Sequence, residues 1–148
     1  MSQTEIMHSE AGLAFLRRAL ASGGMGPGIG RTLGIRGVQA DPGKVVLEGV
    51  PTEDHQNPAG TAHGGYIATL LDGAMALALQ TCLEPGTGYA TTDLNIQFMK
   101  PVKLNAGRVL AEAEVVSLGK SRALAKVRLV NQDGDARALA TGSFAIAR

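Results

Sequence analysis

Asp72 is the one acid in a nearly apolar run, and it follows His63-Gly64-Gly65 by a few residues. A carboxylate on the interior face of a helix is costly unless it is paired or useful. It can act as a general base towards water or as a direct nucleophile. The plainer alternative is a structural acid bonded to a neighbour. Gly64 and Gly65 fall where the run begins. A helix N-terminus there presents unpaired backbone N–H groups and partial positive charge, and glycines leave the approach open. Such an end can bind a carbonyl oxygen and holds it better once it becomes an oxyanion. Close packing of helix on sheet would explain the glycines equally well. His63 fits a capping residue as readily as a catalyst, and His8 and His55 show no partner pattern. No His, Asp and Glu cluster has metal-ligand spacing, and there is no Gly-x-Ser-x-Gly elbow.

Spacing separates the acid from the glycines. Residues 64–83 read as one long helix, apolar on nearly all sides and therefore buried, with Tyr66, Thr69, Asp72, Gln80 and Thr81 as its few rim residues. From His63 to Asp72 is nine residues, about 900° of turn and roughly 13 Å of rise. The two lie on opposite sides of the helix, so one chain cannot aim both at a single atom. If they act together, the site lies at the interface of a symmetric dimer.

The remaining elements must hold that helix. Residues 9–21 predict a short amphipathic helix with Ser9 as its cap and Leu13, Leu16 and Leu20 on one face. The Gly-rich 23–30 lacks the Lys-Ser/Thr ending of a phosphate loop and reads as a connector. Strands are expected over 33–40 and 44–50, joined by Asp41-Pro42-Gly43, and a polar loop over 51–61. Glu84-Pro85-Gly86 should stop the long helix. In GYATTDLNIQFM, Leu94, Ile96 and Phe98 share one face, with Thr91, Asp93, Asn95 and Gln97 on the polar one. Strands over 107–118, 121–131 and 136–147 follow with short turns, which implies an antiparallel meander. A six-strand sheet needs its apolar face covered, and helix 64–83 is the element able to do it. The expected class is α+β: a curved antiparallel sheet wrapped around one long central helix, the hotdog architecture, plus a short N-terminal helix. Residues 1–30 would form the N-terminal helix and connector, and 31–148 the main domain.

Totals bound the rest. The chain has 148 residues, 45% hydrophobic and 18% charged, with a net charge of +1. This fits one folded domain and not a general nucleic-acid binder. Aromatics at 3% with no Trp give no base-stacking platform. The single cysteine, Cys82, allows no internal disulfide. No signal peptide or membrane-length apolar run is read, so a cytoplasmic protein is expected.

The run Asn57-Pro58-Ala59-Gly60-Thr61-Ala62-His63-Gly64-Gly65, with Asp72 behind it, resembles the signature of hotdog-fold acyl-CoA thioesterases, the PaaI-type or phenylacetyl-CoA thioesterase-like branch. The resemblance runs from about Gly30 to the C-terminus and takes in Leu33-Gly34-Ile35 and Thr91-Thr92-Asp93-Leu94-Asn95-Ile96-Gln97-Phe98-Met99-Lys100-Pro101-Val102. It implies hydrolysis of aryl-acetyl or medium-chain acyl-CoA to free acid and CoA. It implies that the Gly64 N–H polarises the thioester carbonyl and that Asp72 of a partner subunit is the nucleophile or general base. Asn57 would orient water or bind the thioester, and His63 would support the helix end. Thr91 would supply a water-placing hydroxyl, unless a bulge in the strand swaps its face with that of the adjacent Thr92. Ala76 stands where some relatives hold a hydroxyl. Lys120, Ser121 and Arg122 would meet the CoA nucleotide, with solvated surface charge as the alternative. A shared-site homodimer, assembled into a homotetramer, is implied, with no metal or redox cofactor. A non-catalytic acyl-CoA-binding module and a hotdog dehydratase are the competing functions.

Overall fold

The computed structural model describes residues 11–147. Six strands form one sheet in the order β1-β2-β4-β5-β6-β3. They are β1 Arg36–Asp41, β2 Lys44–Gly49, β3 Gly88–Phe98, β4 Val109–Leu118, β5 Arg122–Val130 and β6 Ala136–Ala147. Every neighbouring pair is antiparallel. The helices are α1 Gly12–Ala21, α2 Ile29–Thr32 and α3 Gly64–Gln80, and a 3-10 turn spans Glu53–His55. The hotdog architecture expected from the apolar pattern is the one found. Among the described residues, no helix is long and apolar enough to cross a membrane.

β5 and β6 alternate cleanly. Ala123, Ala125, Val127 and Leu129 face inward while Arg122, Leu124, Lys126 and Arg128 face out. Cross-strand pairs Glu112–Arg128 at 3.1 Å and Glu114–Lys126 at 2.9 Å line the outer face. Such exposed pairs contribute little to stability, because water screens them. The inner face receives α3, whose Leu70, Leu71, Ala74, Met75, Ala78 and Leu79 are fully buried. Each large apolar side chain among them contributes roughly 1.5–3 kcal/mol. Gly142 on β6 permits the close approach, since a Cβ there would sit 3.0 Å from Met75 Cε.

Several boundaries differ from expectation. α3 ends at Gln80, and residues 81–83 wind down through a Cys82 N–H to Leu79 carbonyl bond and a Leu83 N–H to Gln80 carbonyl bond. Thr81 ends the helix because its hydroxyl is used twice, accepting from the Gly43 N–H and donating to the Ala78 carbonyl, both at 2.7 Å. Tyr66, Gln80 and Thr81 are buried and not on a rim. Asp72 is half-buried, as a rim position would be. α1 starts from Ala11 with no side-chain cap, and Ser9 lies outside the described residues. Its Phe15 and Leu16 join the same core as α3.

The edge strand β3 brings the largest change. Its pairing with β6 shifts register between Thr91 and Asp93, a bulge at Thr92. Thr91 therefore pairs with the inward-facing Phe144, while Asp93 pairs with Ser143 on the outer face. Thr91 leaves the polar face and joins Leu94, Ile96 and Phe98 inside. α3 packs chiefly on β2, β4 and β5, so it leaves much of that face open. Leu94 and Phe98 remain 37% and 55% exposed.

Candidate active site

The helix start is built by the loop before it. The Asn57 side chain organises that loop: Oδ1 accepts from the Ala59 and Thr61 N–H groups at 2.9 and 3.1 Å. Its Nδ2 donates to Thr61 Oγ1 at 2.9 Å. One amide hydrogen of Asn57 stays uncommitted by these bonds. The loop is tied down by the Ala62 N–H donating to the Val102 carbonyl at 2.9 Å, and by a bridge between Thr61 and Lys103.

His63 caps α3. Its backbone is extended, with φ −62° and ψ 139°, and its Nδ1 accepts from the Gly65 N–H at 2.7 Å. Nδ1 is thus an acceptor and the neutral ring carries its proton on Nε2. A Cβ on residue 65 would lie 2.9 Å from that Nδ1, so the cap needs glycine there. The Gly64 N–H meets no acceptor among the described residues. The Phe98 ring stands beside it: a Cβ on Gly64 would sit 3.4 Å from Phe98 Cζ.

His55, which showed no pattern in the sequence, supports this start. Its carbonyl accepts the His63 N–H at 2.7 Å, and its Nδ1 accepts from the Thr52 N–H at 3.0 Å. Its ring stacks on Tyr66 with centroids 4.4 Å apart. The readable signal was the Thr52-x-x-His55 spacing of a capping box.

Asp72 lies eight residues after Gly64, roughly 12 Å further along the axis. Thr91 Oγ1 donates to Asp72 Oδ1 at 2.9 Å. Tyr89, two residues away on the same inward face of β3, stands edge-on to Phe144 with centroids 6.3 Å apart. Burial, and then the negative charge of Asp72, push the Tyr89 phenol up to about 12. It therefore stays a neutral hydrogen-bond donor throughout the working range. Position alone hid Tyr89, because its face depends on where the bulge falls.

The candidate residues thus form two separate clusters in one chain. Asn57, His63 and Gly64 gather at the helix start, beside Phe98 at one end of β3. Asp72 and Thr91 gather near the other end of β3. Lys120, Ser121 and Arg122 lie exposed in the β4–β5 turn. Thr91 pairs with Phe144 and Phe144 with Ala123, so this turn belongs to the Asp72 end. A concavity of about 750 Å³ lies on the outer sheet face over Asn95, Glu112, Arg128 and Thr141, and contains none of these residues. A second of about 540 Å³ borders His55 and Thr52, with Arg31 and Arg36 on its wall.

Residues 59–138 match the family model described as the thioesterase superfamily. The chain is 42% identical over 95 residues to human acyl-coenzyme A thioesterase 13, covering 64% of this chain and 66% of that protein. The match therefore spans just under two thirds of that relative's length. Among solved structures it is similar to zebrafish thioesterase superfamily member 2, with 32% identity and a TM-score of 0.77, covering 90% of this chain and 96% of that one. It is also similar to a point mutant of phenylacetic acid degradation protein PaaI from Thermus thermophilus, with 32% identity and a TM-score of 0.72, covering 78% and 96%.

Proposed function

The chain belongs to the thioesterase superfamily, and from that premise we propose that it hydrolyses acyl-CoA thioesters to free acid and CoA, at sites completed by two copies of the chain. One observation carries this: Gly64 and Asp72, the two groups the chemistry needs, adjoin opposite ends of the same uncovered edge strand, Gly64 through Phe98 and Asp72 through Thr91. Two β3 edges pairing antiparallel about a two-fold axis at Asn95, with the bulge residue Thr92 skipped, would set Phe98 of one copy opposite Thr91 of the other. Directly opposed residues share a face. The Gly64 of one helix then meets the Asp72 of the second copy. The pairing also covers an eleven-residue edge bearing the exposed Leu94 and Phe98, a type of edge that proteins do not leave open.

At such a site the thioester carbonyl oxygen accepts from the Gly64 N–H, at the positive end of α3. Asp72 acts as general base. Thr91 donates to one of its oxygens, and the hydroxyl's lone pairs can hold the water that the other oxygen deprotonates. Water adds to the carbonyl carbon, and the oxyanion forms against Gly64. Its collapse breaks the carbon–sulfur bond, the electron pair leaves on sulfur, and the proton held by Asp72 returns to the thiolate. The free amide hydrogen of Asn57 faces the thioester, and the neutral His63 keeps the helix end in shape. Lys120 and Arg122 of the copy that supplies Asp72 take the CoA phosphates. A homotetramer of two such dimers would cover Leu124 and Leu139, exposed on the outer face.

The test is thiol release from phenylacetyl-CoA. The protein should release CoA, and Asp72→Ala should lose that turnover while remaining a dimer. Undiminished turnover by the variant would overturn the proposal.

A further inference from the structure

We propose that Phe98 is a specificity-determining residue, the wall against which the first carbons of the acyl group pack; this rests on the thioesterase reading above. Tyr66 and Met75 also flank the site region, but they are 5% and 0% exposed and belong to the core. Phe98 differs: in the single chain it is 55% exposed, on the edge that the proposed dimer shares, and its ring edge stands against Gly64. A carbonyl oxygen bound to the Gly64 N–H lies about 2.9 Å from that nitrogen. The two substituents of the carbonyl carbon then leave in diverging directions past the helix end. One side is the polar 56–62 loop, where Asn57 and Thr61 carry the hydrogen-bonding groups. The other is Phe98, with Ile96 and Leu94 behind it on the same face of β3. The pantetheine arm holds amides that lose free energy against an apolar wall, whereas an apolar acyl group gains there. The acyl group therefore takes the Phe98 side. Aryl-acetyl and medium-chain acyl groups are favoured, since an acetyl group is too short to cover the ring and a dicarboxylic acyl group would set its charge against the apolar face of Phe98, Ile96 and Leu94.

The test compares kcat and KM for acetyl-, hexanoyl-, succinyl- and phenylacetyl-CoA in the wild type, Phe98→Ala and Phe98→Leu. Loss of a ring-sized apolar contact should lower the phenylacetyl-over-acetyl ratio of kcat/KM by about tenfold or more in Phe98→Ala. The change should appear mainly in KM for phenylacetyl-CoA. Phe98→Leu keeps apolar volume without the flat ring, so it should retain the hexanoyl preference while losing much of the phenylacetyl one. A wild type that hydrolyses acyl-CoA and a Phe98→Ala with the same ratio would overturn the role of Phe98 alone. A wild type that hydrolyses none of the four would overturn the thioesterase reading and this inference with it.

Discussion

Thr91 and Asp72 are nineteen residues apart, yet the hydroxyl of one donates to the carboxylate of the other at 2.9 Å. The bond links the edge strand β3 to the middle of α3. It depends on the bulge at Thr92, which turns Thr91 inward. It also leaves one Asp72 oxygen available for chemistry.

That bond predicts the outcome of a substitution series at residue 91. Thr91→Val keeps the β-branched shape and removes the donor, and should lower kcat about tenfold, the equivalent of one hydrogen bond to a charged group. Thr91→Ser should restore most of it. Equal activity in all three would remove Thr91 from the mechanism.

Asp72→Asn should lower kcat about 10²- to 10⁴-fold, the usual contribution of a general base, with KM changing little. Rapid-quench mass spectrometry of the wild type should find no acyl group on Asp72. Turnover in ¹⁸O-water should label the product acid only. An acylated or labelled Asp72 would mean that the carboxylate attacks directly.

Gly64 can be tested through its backbone. Pro is tolerated at the first position of a helix, and the extended His63 before it is the conformation that a following Pro requires. Gly64→Pro deletes the N–H with the helix retained, and should cost about 10²- to 10³-fold in kcat. Gly64→Ala keeps the N–H and places a Cβ 3.4 Å from Phe98 Cζ, so its loss should be much smaller. Comparable losses in both would point to crowding and not to the missing donor.

How much of this was legible in the sequence depended on range. The apolar run after His63-Gly64-Gly65 identified α3, and two-residue alternation identified the inward faces of β5 and β6, because both patterns are local. The face of Thr91 was not readable, since a bulge is set by pairing with β6 and not by the residues of β3. Nor was the end of α3, where Thr81 is held by the Gly43 N–H, 38 residues away. Asp72 was legible as a rim residue of the helix; that it keeps its exposure because α3 leaves the inner face of β3 open was not. His55 was passed over because its capping-box spacing with Thr52 caps only a three-residue turn, and its stacking on Tyr66 is set by packing and not by spacing.

Tyr89 gives a stability signature at high pH. Its phenol is raised from 10.0 to about 12 by burial and by the charge of Asp72. Between these values the unfolded chain has released the proton and the folded chain has not, so stability falls as pH rises. The loss should be up to about 2 kcal/mol. Denaturant unfolding between pH 9 and 12 should show a shallower fall for Tyr89→Phe. An identical slope in the variant would mean that Tyr89 is not the group responsible.

The central claim is that Gly64 and Asp72 serve one site from two chains, and complementation between inactive variants tests it most directly. Asp72→Asn and Gly64→Pro chains, each retaining about 1% of wild-type activity or less alone, are unfolded together, refolded together and assayed for thiol release from phenylacetyl-CoA. In a mixed dimer, one site combines the intact Gly64 of the first chain with the intact Asp72 of the second. With half the dimers mixed and one of their two sites whole, activity should return to about a quarter of wild type. No recovery in a mixture shown to contain mixed dimers would contradict the shared site and place both groups in a single chain.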